Sequence, residues 1–178
     1  ADASCILQDG CYLADSAISD AHAREGVSCT ACHQITETQA ESGAYEISDS
    51  AKVIFGQYES PVATPMINRS GYIPQYSEHI TKSSHCANCH NLYTPTLDIE
   101  SNTATGDMFP EQLPFTEWQH SIYAQDGAGE MHCQDCHMGK MAEDFITRIA
   151  IQPNGSVNTN WPERSSFFSH DLVGGNAW

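Results

Sequence analysis

The sequence predicts a mostly irregular chain with short α-helices and one or two small β-hairpins. Three observations lead there. Apolar periodicity is confined to short runs, each broken within about a dozen residues by turn formers. Eight prolines and 12 glycines punctuate 178 residues, with Pro61, Pro65, Pro74, Pro95, Pro110 and Pro114 crowding the middle third. Eight cysteines then point to cohesion from bonds or a bound group, because such a chain cannot hold together on side-chain burial alone.

Each element has its own local signal. Residues 13–24 read as a short helix that stops at Gly26. Residues 44–47 and 52–55 pair as a small hairpin across Ser48-Asp49-Ser50. The stretches 56–78 and 91–114 read as loop, with their prolines as breakers. Thr116-Glu117-Trp118-Gln119 has the form of a capping box and predicts a helix over 117–125, ended by Gly127 and Gly129. A second hairpin runs from 144–151 through Pro153-Asn154-Gly155-Ser156 into a short return strand. Residues 1–13 form an extended N-terminal segment, and 14–178 a single domain.

Charge removes several function classes. Seven Lys and Arg against 23 Asp and Glu give a formal net charge of -16. A nucleic-acid binder needs a basic face for phosphates, and this charge argues against one. No apolar run approaches the ~20 residues that cross a bilayer. Disorder fits poorly, with 40% of residues apolar and 9% aromatic.

The cysteines carry the chemistry. Six of the eight fall in Cys29-Thr30-Ala31-Cys32-His33, Cys86-Ala87-Asn88-Cys89-His90 and Cys133-Gln134-Asp135-Cys136-His137. C-x-x-C-H is the attachment signature of c-type haem. Both thiols add to the porphyrin vinyl groups, and the adjacent imidazole reaches the iron as proximal ligand. Structural zinc needs four ligands per metal, so three units cannot pair off evenly, and zinc does not require histidine at a fixed offset. A thioredoxin-like pair wants a β-α-β context, and none is visible. Three adjacent histidines by accident has odds on the order of 1 in 10⁴. The chain is therefore expected to carry three covalent haem c groups, with Cys29, Cys32, Cys86, Cys89, Cys133 and Cys136 as attachment points. His33, His90 and His137 are the expected proximal ligands.

Haem c is attached outside the bacterial cytoplasm, where disulfides also persist. The chain from Ala1 reads as the mature form of an exported protein, periplasmic or at the cell surface. Cys5 and Cys11, outside every haem motif, are expected to form a disulfide; two free thiols are the alternative. The haem plates stand in for much of a core, so the haem-free chain is expected to be largely unfolded.

Six histidines remain for the far side of each iron. His22 and His79 each lie seven residues before the first cysteine of a motif, and His170 follows the last motif. These three are the favoured distal ligands. His120, His85 and His132 are held in reserve, the last two because they directly precede Cys86 and Cys133. Met138 adjoins His137 and cannot swing to the opposite face, and no C-x-x-C-K motif occurs.

Beyond the haem motifs, His22-Ala23-Arg24-Glu25-Gly26-Val27-Ser28-Cys29 is similar to an H-x-x-x-G-V-x-C lead. Glu117-Trp118 through Cys133-Gln134-Asp135-Cys136-His137-Met138 is similar to an E-W…C-Q-D-C-H-M segment. Ser169-His170-Asp171-Leu172-Val173-Gly174-Gly175-Asn176 is similar to S-H-x-F-x-G-G-N. On these residues the chain resembles the multihaem c-type cytochromes related to cytochrome c554 and the hydroxylamine oxidoreductase group. The resemblance implies closely stacked haems, bis-histidine coordination and electron transfer, and it supports His22 and His170 as distal ligands. Relatives often carry more haems in a longer chain. This chain is then either a compact three-haem member or one link in a haem chain that continues across subunits.

The expected function is electron transfer by three low-potential haems, with redox partners of basic surface. A homo-oligomer or filament with haem contacts between subunits is a variant. The alternative is a small-molecule oxidoreductase, acting on a nitrogen or sulfur compound at one open haem.

Overall fold

The structure, a computed structural model, describes residues 27–37, 41–48, 52–142 and 151–174. Cys5, Cys11, His22, the 13–24 helix and most of the 144–151 strand lie outside the described residues. The chain divides into two units, residues 1–33 and 34–178. In the first, the described element is helix α1, Cys29–His33. Ser28 opens it, with its carbonyl accepting the Ala31 N–H at 3.0 Å and its hydroxyl bonded to Thr30.

The second unit runs β1 (Val53–Gly56), α2 (Ala63–Ser70) and β2 (Ile73–Tyr76), then a 3₁₀ turn (Glu78–Thr81) and α3 (Ser83–His90). It continues through β3 (Leu92–Leu97), β4 (Ala104–Gln112), α4 (Pro114–Gln119), a 3₁₀ turn (Ile122–Ala124) and α5 (Cys133–His137). Short helices and two small sheets are thus present. Their placement corrects the sequence reading in four places.

The 44–47/52–55 hairpin does not form. Ile47 instead bridges Ile35 in an antiparallel contact, and β1 pairs in parallel with β2, Val53 opposite Ile73. A parallel pair needs a long crossover, and residues 57–72 supply it with α2. A small β-α-β unit therefore exists, although no cysteine lies in it.

The 56–78 stretch is not loop. Pro65 is the third residue of α2, where its missing N–H has no partner to lose. Gly71 ends that helix at φ +75°, donating its N–H to the Ile67 carbonyl at 3.0 Å, a left-handed cap that suits glycine. Pro74 sits in a two-stranded sheet, where every strand has an open edge.

The 91–114 stretch is an antiparallel hairpin, with Thr94 opposite Phe109 and Pro95 opposite Met108. Pro95 and Pro110 are tolerated for the same edge reason. Asp98 closes its turn, accepting from the Glu100 and Ser101 N–H groups and the Ser101 hydroxyl. Those bonds hold the Asp98 carboxyl below its ordinary pKa.

The helix expected over 117–125 begins at Pro114 and ends at Gln119, followed by the separate 3₁₀ turn. Thr116 does not cap it. The Thr116 N–H donates to Asn91 Oδ1 at 3.3 Å, and its hydroxyl accepts from Asn91 Nδ2 at 2.9 Å. The cap comes from a distant residue. In contrast, the Pro153-Asn154-Gly155-Ser156 turn is present, with Gly155 at φ +83° and Ile151 bridged to Val157.

The apolar core is thin. Among the described residues only Ile35, Val53 and Ala87 are buried hydrophobics. Ser83, Asn88 and Asn91 are the largest fully buried side chains. Fifteen large apolar residues among those described are exposed, from Ile99 at 97% to Ile73 at 40%, against three buried ones. Among the described residues no helix is long and apolar enough to cross a membrane.

Candidate functional site

Each C-x-x-C-H motif forms a short helix: α1, the second half of α3, and α5. Helical spacing puts the two cysteines at i and i+3 on one face, with histidine at i+4 beside them. That is the arrangement a porphyrin edge requires. Cys29, Cys89 and Cys136 are exposed, and Cys32, Cys86 and Cys133 are half-buried. Cysteine is ordinarily among the most buried residue types, and none of these six is fully buried.

The second and third motifs are built as a pair. Ser83, fully buried at the start of α3, reaches α5. Its hydroxyl oxygen accepts the Cys133 N–H at 3.0 Å and its proton goes to His132 Nδ1 at 3.2 Å. His132 caps α5, and its own N–H donates to Asp135 Oδ2 at 2.8 Å in a reciprocal capping box. Gln134 Nε2 donates to the carbonyls of Ile80 and Lys82 at 3.1 and 3.0 Å. The outcome is that Cys133 lies within hydrogen-bonding reach of Cys86. As a free thiol Cys133 is pulled from 9.0 to about 6, chiefly by that bond, with burial opposing and Ser83 and His137 assisting.

Asn91 ties this pair to α4, as described for Thr116. Trp118 continues the tie, donating its indole N–H to the Met131 carbonyl at 2.7 Å and packing 5.7 Å from the His132 ring. The Glu117-Trp118 segment thereby braces the third motif. A strap formed by residues 164–173 closes the other side. Tyr58 and Gln57 donate to the carbonyls of Ser165 and Ser166, both at 2.8 Å, and the Arg164 guanidinium stands 5.2 Å over the Tyr58 ring. Farther on, Lys140 bridges Phe168, and Val173 donates its N–H to the His137 carbonyl at 3.0 Å.

The histidines differ in which nitrogen is committed. A carbonyl can only accept, so the ring nitrogen facing it carries the proton and a neutral ring keeps its lone pair on the other. His137 Nδ1 donates to the Val173 carbonyl at 2.5 Å, which puts the lone pair on Nε2. This backbone-carbonyl partner is the usual support of a metal-ligating imidazole. His120 shows the same pattern with the Thr116 carbonyl at 2.7 Å, and His170 with Phe168 at 3.1 Å. All three are exposed.

His79 is the reverse. It is 7% exposed, with Nε2 donating to the Ile35 carbonyl at 2.9 Å and Nδ1 accepting from the Ser77 hydroxyl at 2.6 Å. Ligation by His79 would require breaking the Ile35 bond. His85 packs edge-on to His79, centroids 5.5 Å apart, and both line a cavity of about 200 Å³ with Glu37, Glu78, Lys82 and Asn88. His132 spends Nδ1 on the cap and turns Nε2 toward Glu130 at 3.5 Å. His90 ends α3, exposed, and His33 ends α1 in the first unit.

Sequence reading missed two site residues, Ser83 and Asn91. Their only signal was adjacency to the second motif, because a buried polar residue resembles a surface one in sequence. Among the described residues no three His, Cys, Asp or Glu converge as ligands of a bare metal ion. Haem iron needs no such cluster, since the porphyrin supplies four of its ligands. No family model, curated protein or solved structure matches the chain.

Proposed function

We propose that the chain binds three haem c groups through Cys29/Cys32, Cys86/Cys89 and Cys133/Cys136 and transfers electrons outside the cytoplasm, without catalysing a reaction of its own. Bound haem supplies reversible one-electron Fe(III)/Fe(II) chemistry. What the chain supplies is attachment, orientation and field. His33, His90 and His137 are the proximal ligands, and His137 is oriented by the Val173 carbonyl. His170 and His120 are the distal ligands best supported among the described residues, because a backbone carbonyl at Nδ1 puts the lone pair of each neutral ring on Nε2. His22 remains a distal ligand on the sequence alone.

The single observation that carries this function is the joining of α3 to α5 at Cys86 and Cys133. A pair of redox centres passes electrons efficiently only when held close and rigid, and Ser83 and Gln134 hold these two motifs so. The net charge of -16 stabilises the ferric state and so keeps the potentials low. It also favours basic redox partners.

Electron paramagnetic resonance and optical spectra of the oxidised holo-protein test this function. The expected result is low-spin haem throughout, unmoved by nitrite, hydroxylamine or cyanide. A high-spin fraction near one haem in three, perturbed by those ligands, would reverse it in favour of catalysis.

A further inference from the structure

The β3–β4 hairpin is an unusual object to leave bare. All nine residues of β4 are exposed, and Met108 and Phe109, neighbours that point to opposite faces of the strand, are 55% and 57% exposed. At the turn, Leu97 and Ile99 are 56% and 97% exposed. β3 is mostly half-buried, its start held by Ser42, whose hydroxyl accepts the Tyr93 N–H at 2.9 Å, so the exposure lies on β4 and the turn. Apolar surface of this kind on a soluble domain marks an interaction site.

Charge identifies the partner. Between residues 92 and 112 the sequence has Asp98, Glu100, Asp107 and Glu111 and no Lys, Arg or His. Asp98 and Glu100 flank Ile99 directly, which places an apolar tip inside an acidic rim. A second copy of this acidic chain would bring like charges together, and an anionic membrane surface would be repelled in the same way. The surface fits a protein with the opposite pattern: an apolar patch ringed by Lys and Arg.

The turn is also fixed before any partner arrives. Asp98 Oδ1 accepts three bonds from Glu100 and Ser101, Thr103 accepts the Asp98 N–H at 2.8 Å, and Thr96 and Thr105 are hydroxyl-bonded across the strands. A preorganised turn loses little entropy on docking. Its root matters as well, because β3 begins two residues after His90, the expected proximal ligand of the second haem.

We infer that the β3–β4 hairpin is the docking surface for a basic electron-transfer protein, and that electrons enter or leave through the second haem motif. The docking surface stands on the hairpin itself; the electron route rests on the proposed function.

The test uses the holo-protein and a strongly basic single-haem cytochrome c as probe, with calorimetry at low salt and stopped-flow electron exchange. Haem content is measured first by intact mass. The triple variant Glu100→Lys, Asp107→Lys, Glu111→Lys leaves the Asp98 turn bonds in place. It is expected to weaken binding at least about tenfold and slow exchange in parallel. The control Glu41→Lys, Glu59→Lys, Glu163→Lys makes the same net charge change at exposed sites elsewhere, and less than about threefold is expected. Ile99→Ser is expected to weaken binding about fivefold, with the salt dependence unchanged. Equal losses in the two triple variants would overturn the inference, since net charge alone would then explain binding. So would self-association of the wild-type chain that Ile99→Ser abolishes. A chain without haem that still binds through the hairpin would keep the docking surface and remove the electron-transfer role.

Discussion

Ser83→Ala is the sharpest perturbation the structure offers. The side chain is fully buried and joins the second C-x-x-C-H motif to the third. Replacement removes the acceptor of the Cys133 N–H and the donor to His132 Nδ1, at 3.0 and 3.2 Å. Each bond contributes roughly 1 kcal/mol net, and a buried N–H left without its acceptor adds about 1 kcal/mol more. His132 Nδ1 keeps the Ser83 backbone N–H at 3.4 Å, which limits the loss. The expected destabilisation is about 2–3 kcal/mol, read from the urea midpoint of the oxidised holo-protein at unchanged slope. Ser84→Ala, one residue along and without a bond to α5, is expected to cost less than about 0.5 kcal/mol. The two motifs would also lose their fixed spacing, so the magnetic coupling between the second and third haems should weaken. Equal midpoints for the two variants would refute the joint, whatever the haem content.

Other outcomes follow from the same geometry. Asn91→Ala removes both bonds to Thr116 and should cost about 2 kcal/mol in the same urea assay; a change under about 0.5 kcal/mol would show that α4 does not depend on this cap. His170→Ala should turn one haem high-spin, and an unchanged spectrum removes His170 from the ligand set. Asp98 has a depressed folded pKa, so its contribution to the turn is present above the ordinary carboxylate pKa of 3.8 and is lost as pH falls through the folded value. Ser101→Ala should move the Asp98 carboxyl titration, followed by NMR, upward; an unmoved titration would contradict the hydrogen-bond origin. Protein expressed without haem maturation should lack a cooperative melt by circular dichroism, because Ile35, Val53 and Ala87 are too little core. A native-like cooperative melt would contradict that.

The sequence points to a covalent chemistry more clearly than to the architecture. C-x-x-C-H is legible because the chemistry demands fixed residues at fixed spacing, and the short helices beneath it follow from that spacing. The strands were not legible. Pro74, Pro95 and Pro110 read as breakers because sequence does not show which strands have an open edge, and in two-stranded sheets all of them do. The Thr116 capping signature misled for a related reason. A cap is a local pattern, yet here a buried asparagine 25 residues upstream takes the role, and the reciprocal box sits at His132 and Asp135 instead. Distal histidines stand between these cases. Candidates were countable from the sequence, but only the hydrogen-bond partner of each ring tells His120 and His170 from His79.

The central claim is that six cysteines are thioether-bonded to three haems. Intact-mass measurement of the exported protein after iodoacetamide treatment under reducing conditions tests it most directly. The expected mass is that of the polypeptide plus three haems, with alkylation confined to Cys5 and Cys11. A chain without added haem, alkylated at Cys29, Cys32, Cys86, Cys89, Cys133 and Cys136, would contradict it.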